Sequence, residues 1–303
     1  MSVVELESRE IMLELPTGGL WRDAWTRLRR NPGAIAGFSL VGAFVVIAIF
    51  APLLAPYSPQ EQNLQLIING CCPGPSAKHW LGVDQLGRDE LSRILYCARF
   101  SLIIGLVAVT AGLSIGLVLG AVAGYLGGIV DSIIMRLMDI MLAIPGLLLA
   151  IGIVAMLGPG LYQIMIAVGV TNVPIFARLL RGSVLALREQ DFVLAARAVG
   201  VRGRWVLFSH ILPNAISPLI VQGTLAMATA IIDVAGLGFL GLGPQDPGTP
   251  EWGTMLTQVD RYLQTAPFLA IVPGIAIVLS VLGFNLIGDG LREALDPKLR
   301  GRV

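Results

Sequence analysis

Six long runs of apolar residues, separated by short polar or turn-forming stretches, dominate the chain; they fall at about 33–55, 100–124, 133–157, 160–180, 211–235 and 266–288. Each reaches the roughly 20 residues that a helix needs to cross the hydrocarbon layer of a bilayer, so the pattern predicts an all-α integral membrane protein with six transmembrane helices. Between the third and fourth runs, Leu157-Gly-Pro-Gly-Leu161 offers turn residues alone, which predicts a tight hairpin between antiparallel helices. The polar interruptions are a tail at 1–32, a loop at 56–99, a connector at 188–213 and a second tail at 291–303, leaving 100–290 as a helical core that contains the connector.

Composition agrees with a membrane protein. Hydrophobic residues make up 55% and charged residues 14% of the chain, against about 25% charged residues in soluble domains, and mean hydropathy is +0.78. A formal net charge of +1 gives no global basic excess of the kind that accompanies nucleic-acid binding. Basic residues are segregated instead. The first tail has Arg9, Arg22, Arg27, Arg29 and Arg30, the connector region Arg178, Arg181, Arg188, Arg197, Arg202 and Arg204, and the second tail Arg292, Lys298, Arg300 and Arg302. With six spans these regions share one side, and retention of basic residues predicts that it is the cytoplasm, with both termini inside. Opposite loops carry Lys78, Arg88 and Arg93, then none in the hairpin, then Arg261. Residues 1–30 are polar and mixed in charge and the following apolar run is long, so the first helix is expected to be a signal anchor at most.

Gly112, Gly116, Gly120 and Gly124 recur every four residues along the second predicted helix and lay bare backbone along one face. Such a stripe lets membrane helices approach closely, either within this subunit or against a second transmembrane subunit. Asp131, Arg136 and Asp139 cluster at the start of the third helix, where Arg136 and Asp139, three residues apart, are expected to pair. Asp233 lies near the outer end of the fifth helix among Ile231, Ile232 and Val234; it faces either a polar translocation path or the external loop. Pro145, Pro174 and Pro218 interrupt apolar spans and invite kinks, which serve as gates or as ordinary packing. Cys71 and Cys72 are expected to resist bonding to each other; one pairs with Cys97 if the loop folds back, or all three are free thiols. No metal site is predicted, because His79 is the only imidazole near them.

No Gly-x-x-x-x-Gly-Lys-Ser/Thr phosphate loop occurs, so ATP-driven transport would need another chain to hydrolyse the nucleotide. His79 and His210 lack the companions of a nucleophilic triad or a zinc protease, and no catalytic residue is predicted. In the connector, Leu194-Ala-Ala-Arg-Ala-Val199 favours helix and Gly200 supplies a stop. About ten helical residues span about 15 Å, and the residues alone leave two readings open. One is a ball that fits a partner's socket, with Ala195 and Ala196 as a slim face. The other is an interfacial helix held under the headgroups by arginine and Trp205.

The connector also carries a resemblance. Ala195-Ala196 with Gly200, followed by His210-Ile-Leu-Pro-Asn214, resembles the EAA motif of ATP-binding-cassette importer permeases, with Leu194 where that family usually has Glu. Leu28–Gly37 leading into Phe50–Tyr57 resembles the start of the C-type subunit of dipeptide, oligopeptide and nickel permeases. The blocks His79–Arg93, Gly238–Gly243 with Pro250–Gly253, and Gly290–Arg300 are similar to further signatures of the same family.

The resemblance implies the type I importer permease fold with a cytoplasmic coupling helix, in a bacterial inner membrane. It implies ATPase-coupling roles for Glu189, Asp191, Leu194, Ala195, Ala196, Arg197, Gly200 and Arg202, with Glu189 or Asp191 standing in for the missing acid. It also implies a second, non-identical permease subunit, two cytoplasmic ATPases that hold ATP and Mg, an extracytoplasmic binding protein, and no cofactor in this chain. Short peptides are the implied cargo, with nickel chelates, haem or other peptide-like solutes as family variants. The rival reading is a secondary carrier or membrane scaffold without ATPases. Carriers usually show an internal repeat and paired charges at mid-membrane, whereas no repeat is evident here and Asp233 is solitary.

Overall fold

The computed structural model describes residues 20–68, 70–246, 249–257 and 259–295. Arg9, Lys298, Arg300 and Arg302, counted above for orientation, lie outside them. A short amphipathic helix, α1 (Leu20–Leu28), is followed by α2 (Pro32–Leu54). The entry to α2 is written in sequence: the Asn31 side chain accepts the Ala34 N–H at 3.0 Å, and Pro32 occupies the first turn, where its missing N–H costs nothing. Then come α3 (Glu90–Leu126), α4 (Gly128–Ala143), α5 (Gly146–Leu157) and α6 (Leu161–Arg188). The connector holds α7 (Asp191–Ala198), and the next helical run, Gly203–Leu242, contains α8 (Leu212–Leu237). A short α9 (Trp252–Thr257) and a long α10 (Phe268–Leu295) complete the order.

Among the described residues, five helical stretches are each long and apolar enough to cross a membrane: α2, α3, α6, the run Gly203–Leu242 and α10. The third predicted span, 133–157, is instead two helices, α4 and α5, that meet at 93°. Pro145 sits at the break. It has no N–H to continue the helix, and it holds Ile144 in an extended conformation at φ −94°, ψ 129°. Pro174 and Pro218 do not break their helices; both lie inside continuous α6 and α8. Helix α3 starts at Glu90, ahead of the predicted residue 100, because Asp89 caps it by accepting the Ser92 N–H at 2.8 Å.

Helices α3 and α6 form the centre of the bundle, and the glycine stripe is what seats them. A Cβ at Gly112 would stand 2.6 Å from the Gly169 carbonyl oxygen, and one at Gly116 would stand 2.6 Å from Phe176 Cβ. Gly120 and Gly124 face the Ala177 carbonyl and Val184 of the same helix. Of the two uses open to this stripe, packing within the subunit is the one observed. Ile104, Ile164, Phe176, Leu180 and Ile211 fill the core around the seam, while α10 packs across α2 and α8.

Candidate functional site

At one end of the bundle the connector turns outward. Helix α7 is eight residues long, shorter than the ten or so predicted, and is stopped by a reversal rather than by loss of helix propensity. Gly200 adopts φ +83°, a left-handed conformation that favours glycine, while its N–H donates to the Arg197 carbonyl at 3.0 Å and that of Val201 donates to the Ala196 carbonyl at 3.1 Å. Val193 and Ala196, three residues apart, are buried, and Val193 joins the core cluster that holds Val206 and Leu207. Ala196 is thus part of the seat of the helix, not of its free face.

That free face carries Asp191, Leu194, Ala195 and Arg197, with Glu189 before it and Gly200 and Arg202 after it, all exposed. Phe192, at 43% exposure, and Val199, at 81%, join Leu194 to make the face apolar, with Arg197, Arg202 and Arg204 around it. Motif reasoning passed over Phe192 and Val199 because hydrophobic residues in a helix usually point inward; only their placement shows them turned out. Arg188 is not on this face. Its guanidinium donates to the Gly124 and Tyr125 carbonyls at 3.1 and 3.4 Å, satisfying the last turn of α3 and tying the connector to the bundle.

Beyond α7, the chain re-enters through a π-helical segment, Val206–Ile211, and α8 leaves through another, Gly238–Leu242, in which Gly241 takes φ +78°. Segments of this kind are wider than α-helix and recur where helices bend or serve a site. Asp233 lies between them on α8 and is half-buried. It has no hydrogen-bond or ion-pair partner among the described residues, and Gln222 and Thr229, respectively eleven and four residues before it, fall on the same side of the helix. The expected Arg136–Asp139 pair does not form. Asp139 bonds Arg178, and Asp131 binds Arg181 at 2.5 and 2.7 Å, so both carboxylates reach across to α6. A partner on a packed helix offers better geometry than one along the same surface.

The opposite end holds what composition hid. Within the block His79–Arg93, Asp84 is buried and accepts from Arg88 Nε at 2.7 Å and from an Arg93 amino group at 2.5 Å. Its other oxygen accepts the N–H groups of Leu86 and Arg88, both at 2.9 Å. Burial, reinforced by the Arg93 charge, holds Arg88 below the usual guanidinium range. Asp89 meets His79 Nδ1 at 2.8 Å, and the His79 ring stacks on Tyr57. Glu251 caps α9: its two oxygens accept from Gly253 N–H at 2.9 Å and Thr254 N–H at 3.0 Å, and burial pushes its carboxyl up to about 7. Trp252 beside it is fully buried, edge-on to Phe44. Counting Arg88 and Arg93 as loop charges missed this network, although the four-residue step from Asp84 to Arg88 was a legible signal.

The cysteines also depart from expectation. Cys71 and Cys72 are joined to each other, and the segment packs on Val259, Ala266 and Leu269. Cys97 is a free, buried thiol on α3, 3.3 Å from Met255 Sδ, and faces the bundle rather than the loop. Among the described residues, no three His, Cys, Asp or Glu side chains converge as a metal site.

Residues 116–301 match the family described as the binding-protein-dependent transport system inner membrane component. Residues 19–69 match the N-terminal transmembrane domain of oligopeptide transport permease C. The chain belongs to the binding-protein-dependent permease family: it is a transmembrane subunit of an ATP-binding-cassette importer, and ATP hydrolysis belongs to partner ATPase chains. It is 51% identical to the dipeptide transport system permease protein DppC of Alkalihalophilus pseudofirmus over 280 residues, 92% of this chain and 90% of that protein. It is 49% identical to the glutathione transport system permease protein GsiD of Salmonella typhimurium over 281 residues, 93% of this chain and 91% of that protein. Among solved structures it resembles the inward-facing MetNI methionine ABC transporter, with a TM-score of 0.56 and 20% identity over 68% of this chain and 97% of that one. That likeness speaks for the fold alone.

Proposed function

We propose that the chain forms half of a translocation pathway for short peptides or peptide-like solutes and is driven through α7 by cytoplasmic ATPases. The observation that carries this reading is the outward face of α7, where Phe192, Leu194 and Val199 are exposed on a helix whose other side is fully seated. Exposed apolar side chains on a short, anchored helix fit a socket, and the surrounding arginines fix its orientation. Leu194 fills the position where the family has Glu, so contact there is by packing and not by charge.

Segregation of arginine supports placing the connector end in the cytoplasm, with the 56–99 loop and α9 facing outward toward a separate binding protein. The complex would then comprise two non-identical permeases in the bacterial inner membrane, two ATPases holding ATP and Mg, and that binding protein. The peptide cargo rests on the named activities of the relatives, dipeptide and glutathione transport. Closure of the ATPases would move α7. Arg188 ties that motion to the end of α3, and the π segment Val206–Ile211 ties it to α8. Asp233, with Gln222 and Thr229, supplies the polar side of the pathway on α8, where a water-filled path relieves the cost of a carboxylate within a span.

Replacing Ala195 with Asp, or Gly200 with a bulky residue, tests the coupling. Uptake into cells or proteoliposomes should fall at least about tenfold, the effect of about 1.4 kcal/mol of lost coupling, while membrane insertion is retained and ATPase activity no longer responds to cargo. Normal uptake by both variants would sink the proposal. Reporter fusions after Arg204 test the topology, with a cytoplasmic signal expected. An Asp233→Asn variant should alter uptake and leave ATPase binding unchanged.

A further inference from the structure

Where α1 meets α2, the chain makes an elbow enclosing a groove of about 330 Å³, lined by Trp25, Leu28, Arg29, Ile35, Phe38 and Ser39. The groove is held in place from behind. Ala24 and Leu28 are buried against Leu291, Ala294 and Leu295 of α10, and the Asn31 side-chain amide donates to the Glu293 carboxylate at 2.6 Å. Its open side pairs two chemistries. Trp25 on α1, and Ile35 and Phe38 in the first turns of the membrane-crossing α2, are about half exposed, at 56%, 50% and 46%. The Arg29 guanidinium lies 5.6 Å from the Trp25 ring centroid, which holds it at the rim of the apolar wall.

Arg22, Arg27, Arg29 and Arg30 crowd this elbow, and none has an ion-pair partner among the described residues. Glu293 is engaged by Asn31 on the other side. We propose that the α1–α2 elbow binds an anionic phospholipid, its phosphate on Arg29 and the upper part of an acyl chain against Trp25, Ile35 and Phe38. Charge and depth select the occupant. A basic cluster immediately beside a span attracts anionic headgroups, and an aromatic ring at that level suits the boundary between headgroup and hydrocarbon. The site requires only that α2 cross the bilayer, so it is independent of which side the connector faces and of the cargo.

The test uses the full chain in lipid bilayers of phosphatidylcholine containing increasing fractions of bromine-labelled phosphatidylglycerol or bromine-labelled phosphatidylcholine. Trp25 emission is obtained as the difference between the natural chain and Trp25→Phe. Phosphatidylglycerol should quench it at a lower lipid fraction than phosphatidylcholine does, and Arg29→Gln should raise the phosphatidylglycerol fraction needed about fivefold, the effect of one basic side chain at an anionic surface. Arg29→Lys should keep much of the preference. Equal quenching by the two lipids, or no change in Arg29→Gln, would overturn the proposal. So would loss of quenching in excess inorganic phosphate, which assigns the groove to a free anion. A preference that emerges only when residues 1–19 are deleted would assign it to the chain's own terminus and overturn the proposal too. Uptake is not the readout, so failure here is distinguishable from failure of the transport reading.

Discussion

The two ends of the bundle treat charge in opposite ways. At the loop end, Asp84, Asp89, Arg88 and Arg93 are buried and bound to one another or to backbone, and Glu251 is buried and bound to backbone N–H groups. At the connector end, Arg197, Arg202 and Arg204 are exposed and stand beside exposed Phe192, Leu194 and Val199. A buried charge whose partners come from its own chain is committed to holding that chain in one shape. An exposed apolar face edged by charges without partners is left for another molecule. The loop end is therefore the frame, and the connector end is the surface proposed to meet the ATPases.

The largest effect should come from removing the centre of the frame. Asp84→Ala removes the carboxylate that two buried guanidinium groups bond, and about 3 to 5 kcal/mol of stability should be lost. Thermal melting of the purified subunit reads this, and an unchanged melting curve would erase the distinction between the ends. Next, Gly120→Leu drives a side chain into the Ala177 carbonyl and the Leu180 side chain; about 3 kcal/mol is expected from overpacking, seen as a fall in folded subunit recovered from membranes.

A pH effect should follow from Glu251. Its carboxyl rises from 4.5 to about 7 on burial, so between those values the folded state holds more proton than the unfolded one. The stability it contributes is complete below about 4.5 and is lost as pH rises through about 7. Melting should therefore weaken from acid to neutral pH in the natural chain, and less steeply in Glu251→Gln, where buried Glu90 still contributes. The smallest stability effect is expected at the other end. Val199→Ser should stay within about 0.5 kcal/mol of the natural chain because the residue packs on nothing here, yet it should reduce copurification of the ATPases. A large loss of stability in Val199→Ser would show that the face is part of the frame.

Much of this was legible in the chain. Hydrophobic run length marked the membrane helices, four-residue glycine spacing marked the α3–α6 seam, and the alanine-rich stretch ending at Gly200 marked the connector helix. These are local signals, carried by periodicity and by backbone preferences that neighbours need not supply. Pro145 was read as a kink, but not as a 93° corner, because the angle depends on what the two halves pack against. Asp139 was matched to Arg136, since a sequence exposes only neighbours along one helix; Arg178 came from 39 residues away.

By itself, then, the sequence determined that this is a helical membrane protein, where five of its six predicted spans lie, and which segment is built to stop and turn at Gly200. Beyond the local step from Asp84 to Arg88, the pairing of charges belonged to tertiary structure. Asp84 and Arg93, Asp131 and Arg181, and the vicinal Cys71–Cys72 link with Cys97 left apart depend on which surfaces meet. Tertiary packing also decided that Ala196 faces in while Phe192, Leu194 and Val199 face out. Hydrophobicity dictates that apolar surface be covered, but only the folded bundle decides which part it covers itself and which part it leaves to a partner.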